Sequence, residues 1–344
     1  MIERRFTQKI AAEQDLSVHQ VDAVQLLLNE GATIPFIARY RKEATGSLDE
    51  VAVTGIRDRL QQLQDLSNRR TAVLNSLEKH GHLTEDLQQK VLGAENLAAL
   101  EDIYLPYRPK RRTRAVMARE KGLEPLATAI FEQTGLDPAA AAASFVDPEK
   151  GVETIEDALA GARDIIAEII NEHDGARAAM RQLFFTDAVI QSTVASGMEE
   201  RGIKYKDYFD WSEPVAKVPS HRFLAMLRGE KEDVLNLNVF PDETSAVGIL
   251  KDLFICGDGA DSDQVMMAIG DGYKRLLSRS METETRVHAK ERADREAIRI
   301  FTENLRQLLL APPLGAKRVM GIDPGFKTGC KVVCLDRQGK LLSH

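Results

Sequence analysis

Apolar residues recur every three or four positions along most of this chain, a spacing typical of amphipathic α-helices. The stretch 17–31 is one example, because Ser17 can cap the helix start and Gly31 can end it in a left-handed conformation. The longest stretch is 281–311, where opposite charges stand four residues apart. Its apolar seam lasts about two heptads, so we interpret it as a structural spine, with a coiled-coil dimer as the alternative. Further helices are predicted over 48–81, 84–93, 95–104, 137–147 and 154–172.

Alternating apolar and polar residues, the pattern of a half-exposed β-strand, occur in few places. One is 232–240, which predicts a small β element among the helices. Two β-rich runs, 318–323 and 329–335, are joined by a turn rich in proline and glycine, and a third run follows Gly339. Because two or three strands are too few for an independently stable sheet, we expect 318–344 to open a domain of a longer protein.

The composition is that of an ordinary globular protein, with 43% hydrophobic and 29% charged residues. The formal net charge of −7 excludes a uniformly basic nucleic-acid-binding protein but allows a local basic patch. Three cysteines do not make the disulfide framework of a secreted protein. The N-terminus lacks the apolar core of a signal peptide, and no stretch approaches the roughly 18 apolar residues of a membrane helix. We therefore expect a soluble, cytoplasmic protein with no membrane partner.

Positive charge is concentrated in 104–122, which contains seven basic residues and one acidic residue, Glu120. Thr113 can cap a short helix that presents the second half of this run. Guanidinium groups suit phosphates, and Tyr104 and Tyr107 suit stacked bases, whereas the alternative is internal ion pairing with acidic parts of the fold. The candidate phosphate contacts in this run are Arg108, Lys110, Arg111, Arg112, Arg114, Arg119 and Lys121.

A second basic cluster, Arg39, Tyr40, Arg41 and Lys42, lies directly after the apolar run IPFIA. Its three cations are also candidate nucleic-acid contacts. The alternative is that they form a solvated or ion-paired edge next to a buried segment.

The segment 219–230 predicts a helix capped by Ser220. His221 and Arg222 lie in its first turn, where they either meet a phosphate or fix the neighbouring loop. We favour the loop-fixing role.

Asp323 is the one residue in the position of a catalytic group, at the end of a strand that leads into a glycine-containing turn. Two-metal nucleases place their first carboxylate at such a point, but the further carboxylates would have to come from strands after residue 344.

The segment 321–328 is not a P-loop, because Phe326 replaces a glycine and a strand follows. Histidine and cysteine spacing does not favour zinc. We therefore predict no enzyme activity, no bound metal and no cofactor.

Five ordered blocks of the sequence resemble the bacterial Tex transcription accessory proteins. The blocks are 30–50, 101–115, 208–232, 271–277 and 304–329. The resemblance implies a mainly α fold in which 1–317 is a Tex-type helical region, with a helix-turn-helix-like part and a long central helix at about 281–311. It also implies that 318–344 begins an incomplete YqgF domain, an α/β domain similar to RNase H and the RuvC resolvase, in which Asp323 matches the first aspartate.

Members of this family continue into helix-hairpin-helix elements and an OB-fold RNA-binding domain, and they have no established catalytic activity. The resemblance implies a nucleic-acid-binding transcription accessory protein, a non-catalytic scaffold that positions RNA, DNA or the transcription machinery. RNA polymerase and ribosome-associated proteins are the candidate protein partners. Two alternatives stay open: a RuvC-like or RNase H-like nuclease in the complete protein, and a scaffold that binds only proteins.

Overall fold

The computed structural model describes residues 2–108, 112–325 and 329–344. Helices dominate it, as the apolar periodicity predicts. They are α1 (Ile2–Glu13), α2 (Val18–Asn29), α3 (Ile34–Tyr40), α4 (Lys42–Thr45), α5 (Glu50–Lys79), α6 (Glu85–Gly93), α7 (Leu97–Tyr104), α8 (Arg114–Glu120), α9 (Glu124–Phe131), α10 (Pro138–Ala142), α11 (Ile155–Glu172), α12 (Asp174–Asp187), α13 (Ser220–Lys231), α14 (Glu243–Phe254), α15 (Ala260–Gly272) and α16 (Ser278–Leu310). The strands are β1 (Val189–Val194), β2 (Asp210–Pro214), β3 (Leu235–Phe240), β4 (Val319–Gly325), β5 (Gly329–Leu335) and β6 (Leu341–Ser343). No helix in the described ranges is long and apolar enough to cross a membrane.

The chain forms two compact units. The first comprises the residues up to Leu183 together with Asp242–Met281, and the second comprises Phe184–Pro241 together with Glu282–His344.

The first unit begins with two hydrophobic cores that share helix α5. Helices α1, α2 and α3 pack against the first half of α5, around fully buried side chains that include Ile10, Ile37 and Ile56. The second half of α5 packs with α6 and α7 around another core, which contains Leu77 and Leu100. One helix of 30 residues therefore contributes to both cores.

Helix α11 is the centre of the remaining part of the first unit. It packs against α8, α9 and α15, and its Ile165 and Ile166 side chains are fully buried. The approach of α15 is close, because a Cβ atom at Gly272 would lie 3.3 Å from atoms of Ala167. Helix α8 and the turn that follows α15 therefore both lie against α11. They bring the side chains near residues 113 and 275 next to this helix.

A π-helical turn, Tyr273–Leu277, follows α15. The Tyr273 side chain is buried, with 4% of the residue exposed. Burial, reinforced by the negative charges of Glu243 and Asp242, raises the pKa of the Tyr273 hydroxyl to about 12.

We expect Tyr273 to make the free energy of unfolding depend on pH in alkaline solution. In the unfolded chain its hydroxyl ionises near pH 10.0, whereas in the folded protein it stays protonated up to about 12. Its stabilising contribution is therefore complete below the lower value and is lost as the pH rises to the higher one. Between about pH 9.5 and about pH 11.5, urea unfolding should show the wild type losing roughly 2 kcal/mol more than Tyr273→Phe. Equal losses in the two proteins would contradict this expectation.

The second unit contains an antiparallel sheet with the strand order β2-β1-β3. Helix α13 packs against β3, with Phe223 only 1% exposed. The outer edge of β3 is closed by side chains of α16, because the Val239 backbone N–H donates to Glu282 Oε1 at 3.1 Å and Arg286 Nη1 donates to the Leu237 carbonyl oxygen at 3.4 Å. Two backbone groups on the outer edge of β3 are thereby satisfied.

The small sheet confirms the β element predicted over 232–240, but two of its strands were not predicted. In β1, the only large apolar side chains are Val189, Ile190 and Val194, which do not alternate regularly. In β2, Trp211 is the only large apolar residue before Pro214. These strands form because pairing with a neighbouring strand satisfies their backbone N–H and C=O groups. The apolar pattern of a single segment does not reveal such pairing.

The predicted cap at Ser220 is wrong. Helix α13 begins at Ser220 itself, and Pro219 occupies the capping position without a side-chain hydrogen bond. The buried Ser220 hydroxyl instead donates to the Glu296 carboxylate on α16, 76 residues further along the chain. A charged acceptor supplied by tertiary structure thus replaces the local bond.

The second sheet of this unit has the antiparallel order β4-β5-β6 and confirms the β-rich runs predicted after residue 317. The second half of α16 precedes it and exposes the predicted apolar seam. Its seam residues are between 41% and 74% exposed: Ile298, Phe301, Leu305 and Leu308. The first part of α16 differs, because Ala289 and Ala293 are buried.

Candidate nucleic-acid interface

The basic run continues into α8, and Thr113 fixes the start of that helix. The Thr113 hydroxyl accepts a hydrogen bond from the Val116 backbone N–H at 3.1 Å, which confirms the predicted cap. The same hydroxyl donates to Glu168 Oε1 on α11 at 3.1 Å. Because Glu168 is only 5% exposed, the orientation of α8 is set from inside the fold.

Two cations of the run are engaged within the fold. Arg119 donates to Glu168 Oε2 at 2.5 Å and to Glu124 Oε1 at 3.2 Å. Burial opposes the charge of Arg119, but the hydrogen bonds to these carboxylates outweigh it and raise the Arg119 pKa. Lys121 Nζ donates to the Gly151 carbonyl oxygen at 2.7 Å. The internal-pairing alternative therefore describes Arg119, whereas Lys121 is held by a backbone carbonyl.

Three further cations of the run lie within the described residues, and all of them are exposed: Arg108, Arg112 and Arg114. The Arg112 side chain is 75% exposed, and its 3.5 Å pair with Glu120 is a surface contact, which contributes at most about 1 kcal/mol. The remaining two make no ion pair with another described residue. Lys110 and Arg111 lie outside the described residues.

An acidic row on α11 faces the start of the basic run. Asp164, Glu168 and Glu172 stand four residues apart on this helix, and they line a cavity of about 410 Å³ together with Arg108 and Arg275. Arg275 donates to Asp164 at 2.9 Å, and burial raises the pKa of Asp164 although this arginine opposes the rise. Asp164 and Glu168 each accept from a guanidinium, Arg275 and Arg119 respectively, so these carboxylates already hold cations of the fold beside the cavity.

The second basic cluster lies at the end of α3 and the start of α4. Arg39 Nε donates to Glu50 at 3.3 Å, in a pair whose side chains are 66% and 47% exposed. Arg41 Nη1 donates to the Tyr40 carbonyl oxygen at 3.0 Å. Lys42 is exposed and makes no ion pair with a described residue. The ion-paired alternative thus describes Arg39, while Arg41 and Lys42 keep their charges available.

Two aromatic rings accompany these cations: Tyr40, which the sequence places in the cluster, and Phe36, which was not among the candidate residues. Phe36 and Tyr40 stand one turn apart on α3, with 5.6 Å between ring centroids. Tyr40 is 65% exposed, and Phe36 is 38% exposed. The Arg41 guanidinium lies 4.8 Å from the centroid of the Phe36 ring. The signal in the sequence is an aromatic pair four residues apart, next to an arginine.

Arg222 fixes the neighbouring strand β2, where the favoured interpretation of segment 219–230 expected it to fix a loop. Its Nη1 donates to Glu213 Oε2 on β2 at 2.7 Å, and its guanidinium lies 4.6 Å from the Trp211 ring centroid. Trp211 Nε1 donates to the same carboxylate at 2.8 Å. His221 is exposed.

Asp323 lies in β4, opposite Lys331 of β5, and is exposed. Residues 326–328, part of the predicted turn, lie outside the described residues. Within the described ranges, no group of three or more His, Cys, Asp or Glu side chains is arranged to hold a metal ion. Asp323 is thus one carboxylate of the several that a two-metal reaction requires.

Three models of the Tex family match successive parts of this chain. They are the Tex-like protein N-terminal domain over 4–78, the Tex central region-like model over 133–301 and the Tex protein YqgF-like domain over 317–344.

Curated relatives are similar along nearly the whole chain. Protein tex of Bordetella pertussis is 42% identical over 98% of this chain and 44% of its own length. The transcriptional accessory protein Tex of Neisseria gonorrhoeae is 40% identical over 98% of this chain and 45% of its own length. S1 RNA-binding domain-containing protein 1 of Homo sapiens is 29% identical over 92% of this chain and 33% of its own length. The chain therefore spans less than half the length of each of these relatives.

Proposed function

This chain belongs to the Tex family, and on that premise we propose that it is part of a nucleic-acid-binding transcription accessory protein and acts as a non-catalytic scaffold. The names of its relatives refer to transcription and to RNA binding. RNA or DNA is the proposed partner, with RNA polymerase or ribosome-associated proteins as further partners. The proposed division of the chain places the helical scaffold in 1–317 and the start of the YqgF-like domain in 318–344.

The observation that supports this proposal most strongly is the division of the basic run into two groups. Arg119 and Lys121 bond to Glu168, Glu124 and the Gly151 carbonyl, and so hold the run against α11 and its neighbours. The exposed group comprises Arg108, Arg112 and Arg114. One group of cations thus anchors the segment, while the other group stays open to solvent, where it can contact phosphates of a single strand.

The proposed number of contacts sets a measurable salt dependence. Five phosphate contacts, from the exposed group together with Lys110 and Arg111, give a slope of log affinity against log salt near −3.5 for a single strand. Affinity should therefore fall roughly a hundredfold between about 50 and about 200 mM salt. A flat salt response would contradict the proposal.

The test is fluorescence anisotropy of a labelled single-stranded RNA at several salt concentrations. In the triple variant Arg108→Gln, Arg112→Gln, Arg114→Gln, we expect weaker binding at low salt and a slope that is shallower by about two. The matched control is Lys79→Gln, Lys90→Gln, Lys150→Gln, which removes the same charge from exposed sites outside the run. Equal losses in both triple variants would show a general charge effect and refute the assignment to this run.

A further inference from the structure

The outer face of α3 presents aromatic rings to solvent. Ile37 and Ala38 point into the core and are 0% and 4% exposed, whereas Phe36 and Tyr40 stand on the outer side. Tyr40 is 65% exposed, although burying an aromatic side chain would stabilise the fold. Packing of the first unit therefore does not account for this ring.

The Arg41 side chain is held in place beside the two rings. Its Nη1 donates to the Tyr40 carbonyl oxygen at 3.0 Å, and its guanidinium lies 4.8 Å from the Phe36 ring centroid. A guanidinium plane near an aromatic ring is stabilised by a cation–π interaction and can itself stack on a flat ligand. The two ring planes are tilted by 42°, and the guanidinium lies over the Phe36 ring. Tyr40 therefore provides the most exposed flat surface of this short segment, supported by Phe36 and Arg41.

Positively charged residues are adjacent to these rings in the sequence. Arg39, Arg41 and Lys42 are three cations in four consecutive residues. The pair between Arg39 and Glu50 is exposed and therefore weak, so a phosphate can compete with it. Aromatic rings beside exposed cations are the combination with which proteins bind single strands, the rings contacting bases and the cations contacting phosphates.

We infer that Phe36, Tyr40 and Arg41 form a stacking platform for unpaired bases of single-stranded nucleic acid, with Arg39 and Lys42 contacting the adjacent phosphates. This inference rests on the proposed function and adds a base-contacting site to the phosphate contacts of the run at 108–121. Stacking is tolerant of sequence, because every base has a flat face. The platform therefore recognises single strands as a class.

The experiment compares two labelled oligonucleotides of about 12 nucleotides, one of deoxyadenosine and one of abasic residues with the same phosphates. We expect the wild type to bind the deoxyadenosine strand about five- to tenfold more tightly than the abasic strand. Tyr40→Ala should lose most of this difference and leave the affinity for the abasic strand unchanged. Tyr40→Trp should restore it, because the larger ring stacks at least as well.

Phe301→Ala is the matched control, because Phe301 is 66% exposed and so resembles Tyr40 in exposure. It should bind both strands as the wild type does, and circular dichroism should show that every variant is folded.

If Tyr40→Ala keeps the preference for bases, the platform is refuted while the phosphate contacts stand. If Tyr40→Ala weakens both strands equally, the ring does not stack on bases and the inference is again overturned. No salt-sensitive binding by the wild type to these two strands or to the labelled single-stranded RNA overturns the proposed function, and the platform with it.

Discussion

Replacing Asp102 by alanine should destabilise the first unit by about 3 to 5 kcal/mol, because it removes the carboxylate shared by two arginines. Asp102 accepts from Arg177 Nε at 2.5 Å and from Arg181 Nη2 at 2.6 Å. Asp102 and Arg177 are each only 7% exposed. Water cannot replace the lost partner of a cation that is buried to this extent.

The measurement is urea unfolding of Asp102→Ala followed by circular dichroism, with Asp86→Ala as the matched control. Asp86 also pairs with a cation, Lys90, at 3.0 Å, but the two side chains are 77% and 58% exposed. The control should change the free energy of unfolding by no more than about 1 kcal/mol. Similar effects of the two substitutions would show that burial does not determine the strength of the Asp102 pairs.

Replacing Phe223 by alanine should destabilise the second unit by a similar amount, about 3 to 5 kcal/mol, because it leaves a cavity between α13 and the sheet. The side chain is 1% exposed. In the same segment, Arg222 is fixed to Glu213 and Trp211 at the surface. Helix α13 therefore packs through the buried Phe223 side chain, while Arg222 of the same helix stabilises β2 by bonding to Glu213.

Thermal unfolding of Phe223→Ala is the measurement, with Phe301→Ala as the control for loss of an exposed ring. The control should stay within about 0.5 kcal/mol of the wild type. Phe223→Leu should lie between the two, because it leaves a smaller cavity. An unfolding free energy unchanged in Phe223→Ala would show that the core of the second unit does not depend on α13.

The helices could be predicted from sequence because their signals are local. The cap at Ser17, the apolar spacing through α5 and the cap at Thr113 all depend on residues within a few turns of one another. The strands β1 and β2 were missed because their stability comes from pairing between segments about 20 residues apart.

The candidate interface was only partly predictable, because the partners of its cations are distant in sequence. Glu168 is 49 residues from Arg119, and the Gly151 carbonyl is 30 residues from Lys121. Composition shows that the run is basic, but only the fold shows which cations have partners. Tyr40 was placed in the second basic cluster, but the exposure of its ring was not predicted, because an apolar run next to charges gives no indication of which ring is buried.

Helix α5 has a consequence for how the first unit folds. Its two ends belong to different hydrophobic cores, so neither core can lose its packing without fraying a helix that the other core needs. A helix is cooperative along its length, since each residue adds a hydrogen bond only after its neighbours are ordered. The aromatic residues of α3 and the carboxylate of α7 therefore belong to one cooperative folding unit, even though each lies beside its own core.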